Sequence, residues 1–535
     1  MSEAGTSMQR FLPPVTTRFD EERRAEKAAE LERANRFPER FPGMASLPGI
    51  GRVFASVYRH GALQALLLLS AIVVFTAIKA PYFAAPFTGE HSMKYNTYVE
   101  PALHMVEKGS MLWYQKKYIA DPVSNPEGIV GKFDHLPLME WGLYATYKLF
   151  PGAGIERKTR WFNHLIGILI LLAAYRFFAG YFPKSFSLLI VWMLSLHPVI
   201  SFASYVTVLD SIAVLFMFLS LAEVGRYYER GKLSALFRAA VWFGLGNAVK
   251  YPLFLWLAPI SFLFMLQESK NAVVFLKSYA VYLVVSLFVT FGVMAAVKNL
   301  LPSPAFALFL LLSLAACLAL AWYLIDRHEK VVDRFMEFLW TRKAVLGAVS
   351  VGLVLAGIVL LRFVRLTDLA EEFLTESGLV ANFRLYKYML LDQFKGYMTR
   401  NLFWVGLAGT LLAMATREKA MRRVWVPFLF GSVVYWIVAS KSIFFHIYYS
   451  MIIMITLTTA AAYFMYFTVV HFRPWIHRAV ISLCFVLLTV PPILDATEGR
   501  MKNFVDVGKV VEFINANTRP DELILFEGYL TPLSI

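Results

Sequence analysis

The sequence predicts an all-α polytopic membrane protein of about thirteen transmembrane helices. Three observations predict it: an apolar composition, apolar runs long enough to span a bilayer, and short basic loops on alternate connections. The 535 residues are 58% hydrophobic and 16% aromatic, with only 17% charged, far from the balance of a soluble domain. The two cysteines, Cys317 and Cys484, both lie inside apolar runs, so neither a disulfide framework nor a cysteine metal site is indicated. The net charge of +15 is read as loop Lys and Arg facing an anionic leaflet, and no nucleic-acid partner is expected.

Residues 1–60 form a charged N-terminal segment, in which "FDEERRAEKAAELERANRFPERF" mixes both signs at helical spacing and suits a solvated or membrane-surface helix. The first apolar run begins too late and is too long for a cleavable signal peptide, so it should stay as an anchor. The transmembrane domain is expected over 61–495. Its spans fall near 61–80, 161–180, 184–202, 207–224, 236–250, 251–267, 278–297, 303–325, 344–361, 401–416, 425–439, 445–467 and 478–495. Threaded from a cytoplasmic N-terminus, these spans put "RYYERGK", "DRHEKVVDR", "REKAMRR" and "HFRPWIHR" inside, in agreement with the positive-inside rule. The outside then receives a first large loop over 81–160, a second over 362–400, and the segment 496–535. The protein is thus expected in the plasma (inner) membrane with its working face toward the periplasm or exterior.

With sides assigned, Glu90, Asp134, His135, Asp210, Lys250, Lys441 and His446 all come out at the outer face. Each alone has an ordinary explanation as a cap, a snorkelling cation or an interfacial histidine. Together they place carboxylates in a loop and cations at helix ends, where a lipid phosphate would lie. Lys and Arg stabilise a phosphate and the charge that grows on it as it leaves, and a carboxylate beside a hydroxyl serves as general base.

At this point the chain resembles the polyprenyl-phosphate-dependent glycosyltransferases of the GT-C type, which include protein O-mannosyltransferases and the lipid A aminoarabinose transferase. "FTGEHSMKYNTYVEPALHMVEKGSMLW" looks like that family's first outer loop, which an acidic residue opens and small helices follow; Glu90 holds that position. "KFDHLPLMEWGLYATYKLFPG" is similar to the stretch leading into the next span. "LSLHPVISFASYVTVLDSIAVLFMFLSL" resembles the turn that carries an Asp, here Asp210. "GLGNAVKYPLFLWLAPI" resembles the Gly-rich span closing on Lys250 and Pro252, and "KSIFFHIYYSMII" the late element holding His446, Tyr448 and Tyr449. Many members carry Asp-Glu where this chain has Glu90-His91, which leaves the identity of the base and the use of a divalent metal open. Beyond the last span, the chain reads as one helix and one strand, a short α/β tail or the start of a soluble domain.

The resemblance implies a GT-C fold and transfer of a sugar, with inversion, from a polyprenyl-phosphate carrier to an acceptor hydroxyl on a glycan, lipid or protein. It makes Glu90 the catalytic base and gives substrate binding to Asp134, His135, Asp210, Lys250, Lys441, His446 and Tyr449. No cofactor beyond the lipid-linked donor is called for, and no metal ligand set is evident. The alternatives are a lipid-linked saccharide transporter and a non-catalytic component of an envelope polysaccharide assembly. A transporter would favour repeated halves and midplane charges, neither of which is visible.

Overall fold

The computed structural model describes residues 62–85, 93–109, 135–152, 154–250, 253–269, 272–297, 389–416, 418–439, 447–471 and 475–517, with single residues at 28 and 443. Helix α1 (Ala62–Ala77) is followed by a 3-10 turn at Ala80–Tyr82. Two further helices, α2 (Met93–Lys108) and α3 (Leu138–Leu149), fall within the stretch expected to be the first large loop. Then come α4 (Ile155–Phe178), α5 (Lys184–Leu196), α6 (Pro198–Ala203), α7 (Leu209–Arg230), α8 (Leu233–Val249), α9 (Leu253–Glu268) and α10 (Ala272–Val297). After a π-helical turn at Met389–Gln393 follow α11 (Phe394–Met398), α12 (Arg400–Ala415), α13 (Lys419–Val438), a 3-10 turn at Ile447–Ser450, α14 (Met451–His471) and α15 (Trp475–Asn517).

The described residues are helical and contain no strand, and five helices are long and apolar enough to cross a membrane. Three shorter apolar helices, Lys184–Leu196, Leu233–Val249 and Leu257–Glu268, accompany them. The expected spans 303–325 and 344–361, and the expected strand of the tail, lie outside the described residues.

Two expectations about continuity change. The run 184–202, read as one span, is two helices, because Pro198 at the first position of α6 disfavours helical backbone at His197. His197 is extended (φ −64°, ψ 126°), and its Nδ1 accepts the Val199 N–H at 3.1 Å, capping α6. Conversely, the helix does not stop with the last span: the membrane-length stretch covers Ile476–Gly499, close to the expected 478–495, but α15 runs on unbroken for 43 residues in all. It does so through Pro491 and Pro492, and Pro492 has no N–H to offer the carbonyl of Leu488. That carbonyl instead accepts Asn401 Nδ2 of α12 at 2.7 Å.

Small residues set how closely the helices approach, as in other membrane bundles. A Cβ at Gly244 of α8 would stand 2.6 Å from the carbonyl oxygen of Ser286 in α10, so only glycine permits that contact. Ser286 and Thr290 donate back across the same seam to the carbonyls of Ala240 and Gly244, at 3.0 and 3.1 Å. Gly409 of α12 lies directly on the backbone of Ala460 in α14. At the centre, Phe177 and Phe178 of α4 meet Phe218 of α7, Phe264 of α9 and Phe428 of α13, with ring centroids 5.8 to 6.4 Å apart, which gathers four helices round one aromatic knot. The connection from α7 to α8 needs only Gly231 and Lys232, because Gly231 takes the left-handed conformation (φ 66°) that ends α7.

Candidate active site

Three elements that are distant in sequence end at one place. Asp210 lies in the first turn of α7, where the positive end of the helix dipole favours a carboxylate. Lys250 is the C-terminal cap residue of α8, where the negative end favours an ammonium, and its backbone is extended (φ −144°, ψ 93°). Tyr449 belongs to the 3-10 turn that precedes α14. The Lys250 ammonium donates to Tyr449 Oη at 2.9 Å, sits 4.5 Å from the centre of the Tyr449 ring, and lies 3.5 Å from Asp210 Oδ2. Asp210 is buried, and its other oxygen, Oδ1, has no hydrogen-bond partner among the described residues.

A second carboxylate stands beside this group. The Leu136 N–H donates to the carbonyl of Ala248 at 2.8 Å, which pins the stretch before α3 to the last turn of α8, two residues from Lys250. Next to it, buried His135 donates through Nε2 to Glu140 Oε1 at 3.1 Å and meets the Tyr98 ring edge-on. Glu140 is fully buried in the first turn of α3, and among the described residues its Oε2 also has no partner. Sequence reasoning passed over Glu140. Its signal was a lone acid two residues after Leu138 in an otherwise apolar and aromatic helix start, a position that burial makes expensive unless it serves something.

The chain entering the first large loop is fixed by a further set that sequence reasoning missed. Arg160 of α4 is buried and donates to the carbonyls of Tyr82, Phe83 and Ala85, while Tyr205 Oη donates to the carbonyl of Tyr82 at 2.9 Å. Asn163 donates to the Tyr205 carbonyl at 3.3 Å and to Thr207 Oγ1 at 3.0 Å. Lys79 donates to Ser204 Oγ at 2.8 Å. Residues 79–85 are thereby tied to the linker 204–208, which itself opens into Asp210. Asp210, Lys250 and Tyr449 therefore converge, with His135 on the adjoining stretch. Glu90, Asp134, Lys441 and His446 lie outside the described residues. No group of three His, Cys, Asp or Glu among the described residues could hold a metal ion, and no step below uses one.

Residues 134–297 match the family of dolichyl-phosphate-mannose-protein mannosyltransferases. That stretch contains His135, Glu140, Asp210 and Lys250; Glu90 and Tyr449 fall outside it. No curated protein matches the chain. Among solved structures it is similar to the Archaeoglobus fulgidus oligosaccharyltransferase tethered with an acceptor peptide containing the NVT sequon, at 15% identity and a TM-score of 0.55, over 85% of this chain and 57% of that one. The apo form of the same enzyme gives 16% identity and 0.55, over 86% and 58%. The chain thus spans just over half the length of that oligosaccharyltransferase. ArnT from Cupriavidus metallidurans bound to undecaprenyl phosphate aligns at 16% identity over 85% of this chain and 81% of that one, with a TM-score of 0.38 that adds nothing to the assignment. The likeness is one of fold: the helices are arranged as in that archaeal oligosaccharyltransferase.

Proposed function

We propose that the protein is an integral-membrane glycosyltransferase that moves a sugar from a polyprenyl-phosphate carrier to an acceptor hydroxyl on the outer side of the membrane. The observation that carries this reading is the half-buried Lys250 ammonium, held between Asp210 and Tyr449 at the meeting point of α7, α8 and the turn before α14. The acceptor oxygen attacks the anomeric carbon as the bond from that carbon to the phosphate oxygen breaks. The configuration inverts, and the phosphate departs with the electron pair. Lys250 stabilises the charge growing on the phosphate, and Lys441 is assigned the same task. Glu90 takes the acceptor proton. It follows the anchored Ala85 by five residues, and five residues span at most about 18 Å. The unpartnered oxygens of Asp210 and Glu140 suit sugar hydroxyls as donors, since a buried carboxylate oxygen left unmet is costly until a ligand arrives. Asp134, His135 and His446 orient the sugar or the carrier.

The test incubates the purified protein in lipid with a panel of polyprenyl-phosphate sugars and follows products by mass spectrometry. Transfer from at least one donor, lowered about a hundredfold or more in Glu90→Gln with donor binding retained, is the expected result. A fully active Glu90→Gln protein removes Glu90 from the mechanism, and no transfer from any donor counts against the reading as a whole. Sidedness is tested separately in intact cells: an impermeant thiol reagent should label a cysteine placed at Asn125 and spare one placed at Arg230. The reverse pattern overturns the orientation.

A further inference from the structure

Between α3 and the start of α4 lies a cavity of about 460 Å³ that the reaction above does not use. Its walls are Phe150, Trp161, Phe162 and Leu165, and its mouth carries Arg157 and Lys158. Phe150, Trp161 and Leu165 are 60%, 47% and 51% exposed, so the cavity opens sideways from the bundle. The two cations are poorly compensated. Arg157 makes no ion pair or hydrogen bond with any described residue, and Lys158 has only the Tyr147 ring, 5.4 Å away. Both stand in the first turns of α4, where the helix dipole favours an anion; Glu156 is the acid of that turn, and Gly154 supplies no side-chain cap. Below the mouth, the exposed residues Trp161, Leu165, Leu169 and Leu172 recur at helical spacing and form one apolar stripe. From Trp161 to Leu172 the stripe runs about 16 Å, roughly half the hydrocarbon thickness and so the depth of one leaflet.

An apolar slot one leaflet deep, lined by two cations that make no ion pair among the described residues, fits one ligand chemistry. We propose that it binds an anionic phospholipid, the phosphate against Arg157 and Lys158 and an acyl chain in the cavity and along the stripe. The bound lipid packs on α3, whose first turn holds Glu140 against His135, so occupancy steadies the stretch beside Lys250. The proposal does not depend on the sugar-transfer reading.

The full chain, purified in mild detergent, is equilibrated with phosphatidylglycerol or phosphatidylcholine and weighed by native mass spectrometry. Competition arms contain inorganic phosphate or a polyprenyl phosphate. The expected result is one retained phosphatidylglycerol and no specific phosphatidylcholine. Retention should fall at least tenfold in Arg157→Gln/Lys158→Gln and in Leu165→Trp, which fills the slot. Equal retention of both phospholipids, undiminished retention in the double variant, or displacement by either competitor overturns the proposal. Photo-crosslinking of the unmutated protein gives a second measurement that is independent of variant folding. A diazirine-bearing phosphatidylglycerol should label the peptide holding Trp161 and Leu165, and labelling spread evenly over other lipid-facing helices overturns the site.

Discussion

Asp210 and Glu223 are carboxylates on one helix, thirteen residues and about 20 Å apart, and they are treated in opposite ways. Both oxygens of Glu223 are fully engaged: Oε1 accepts from Arg176 at 2.6 Å and Arg226 at 2.8 Å, and Oε2 from Arg238 at 2.9 and 3.1 Å. Those arginines come from α4, α7 and α8, so one buried carboxylate clamps three helices at that end. Among the described residues, Asp210 has a single cation at 3.5 Å and one oxygen with no partner. The Glu223 end is complete without a ligand, whereas the Asp210 end is left short of hydrogen bonds in a buried place. That difference, more than the presence of charge, separates a structural cluster from a binding site.

The comparison breaks or sharpens under mutation. The largest effect is expected from Lys250→Ala, which should lower turnover about 10²- to 10³-fold if its ammonium meets the leaving phosphate; near-normal turnover would reduce Lys250 to a helix-end cation. Next, Asp210→Asn should cost about 10- to 100-fold in turnover with little change in melting temperature. Glu223→Gln should show the converse: specific activity near normal, and a melting temperature about 2–4 °C lower. Two variants with the same signature would erase the distinction between the ends. The smallest effect belongs to Tyr449→Phe, which keeps the ring over Lys250 and removes the 2.9 Å hydrogen bond. About a fivefold loss is expected, measured as kcat with saturating donor.

Much of the architecture was legible because membrane-length apolar runs announce themselves one at a time. The convergence of Asp210, Lys250 and Tyr449 was also within reach, since alternating spans fix which helix ends share a face. Glu140 and Arg160 were not. Their meaning lies in partners 5 and 75 or more residues away, inside the fold, and a buried carboxylate or guanidinium leaves no periodic trace. The break at His197 was written in His197-Pro198, but the apolar run over 184–202 outweighed the proline. Continuity through Pro491-Pro492 was hidden for the opposite reason. The side chain of Asn401, on another helix, takes up the Leu488 carbonyl that Pro492 leaves unmet within α15.

That stitch gives α15 a mechanical character. The helix is about 64 Å long, twice what the hydrocarbon needs, and about 38 Å of it lies beyond Pro492. A proline-bearing helix bends at its prolines, and here the fulcrum is fastened to α12 by one amide. A swing of about 10° at that point carries the far end through about 6–7 Å, by simple leverage on a 1.5 Å rise per residue. α15 also packs against α6, which leads into the linker before Asp210, so the bundle end of the rod lies one short helix from the site.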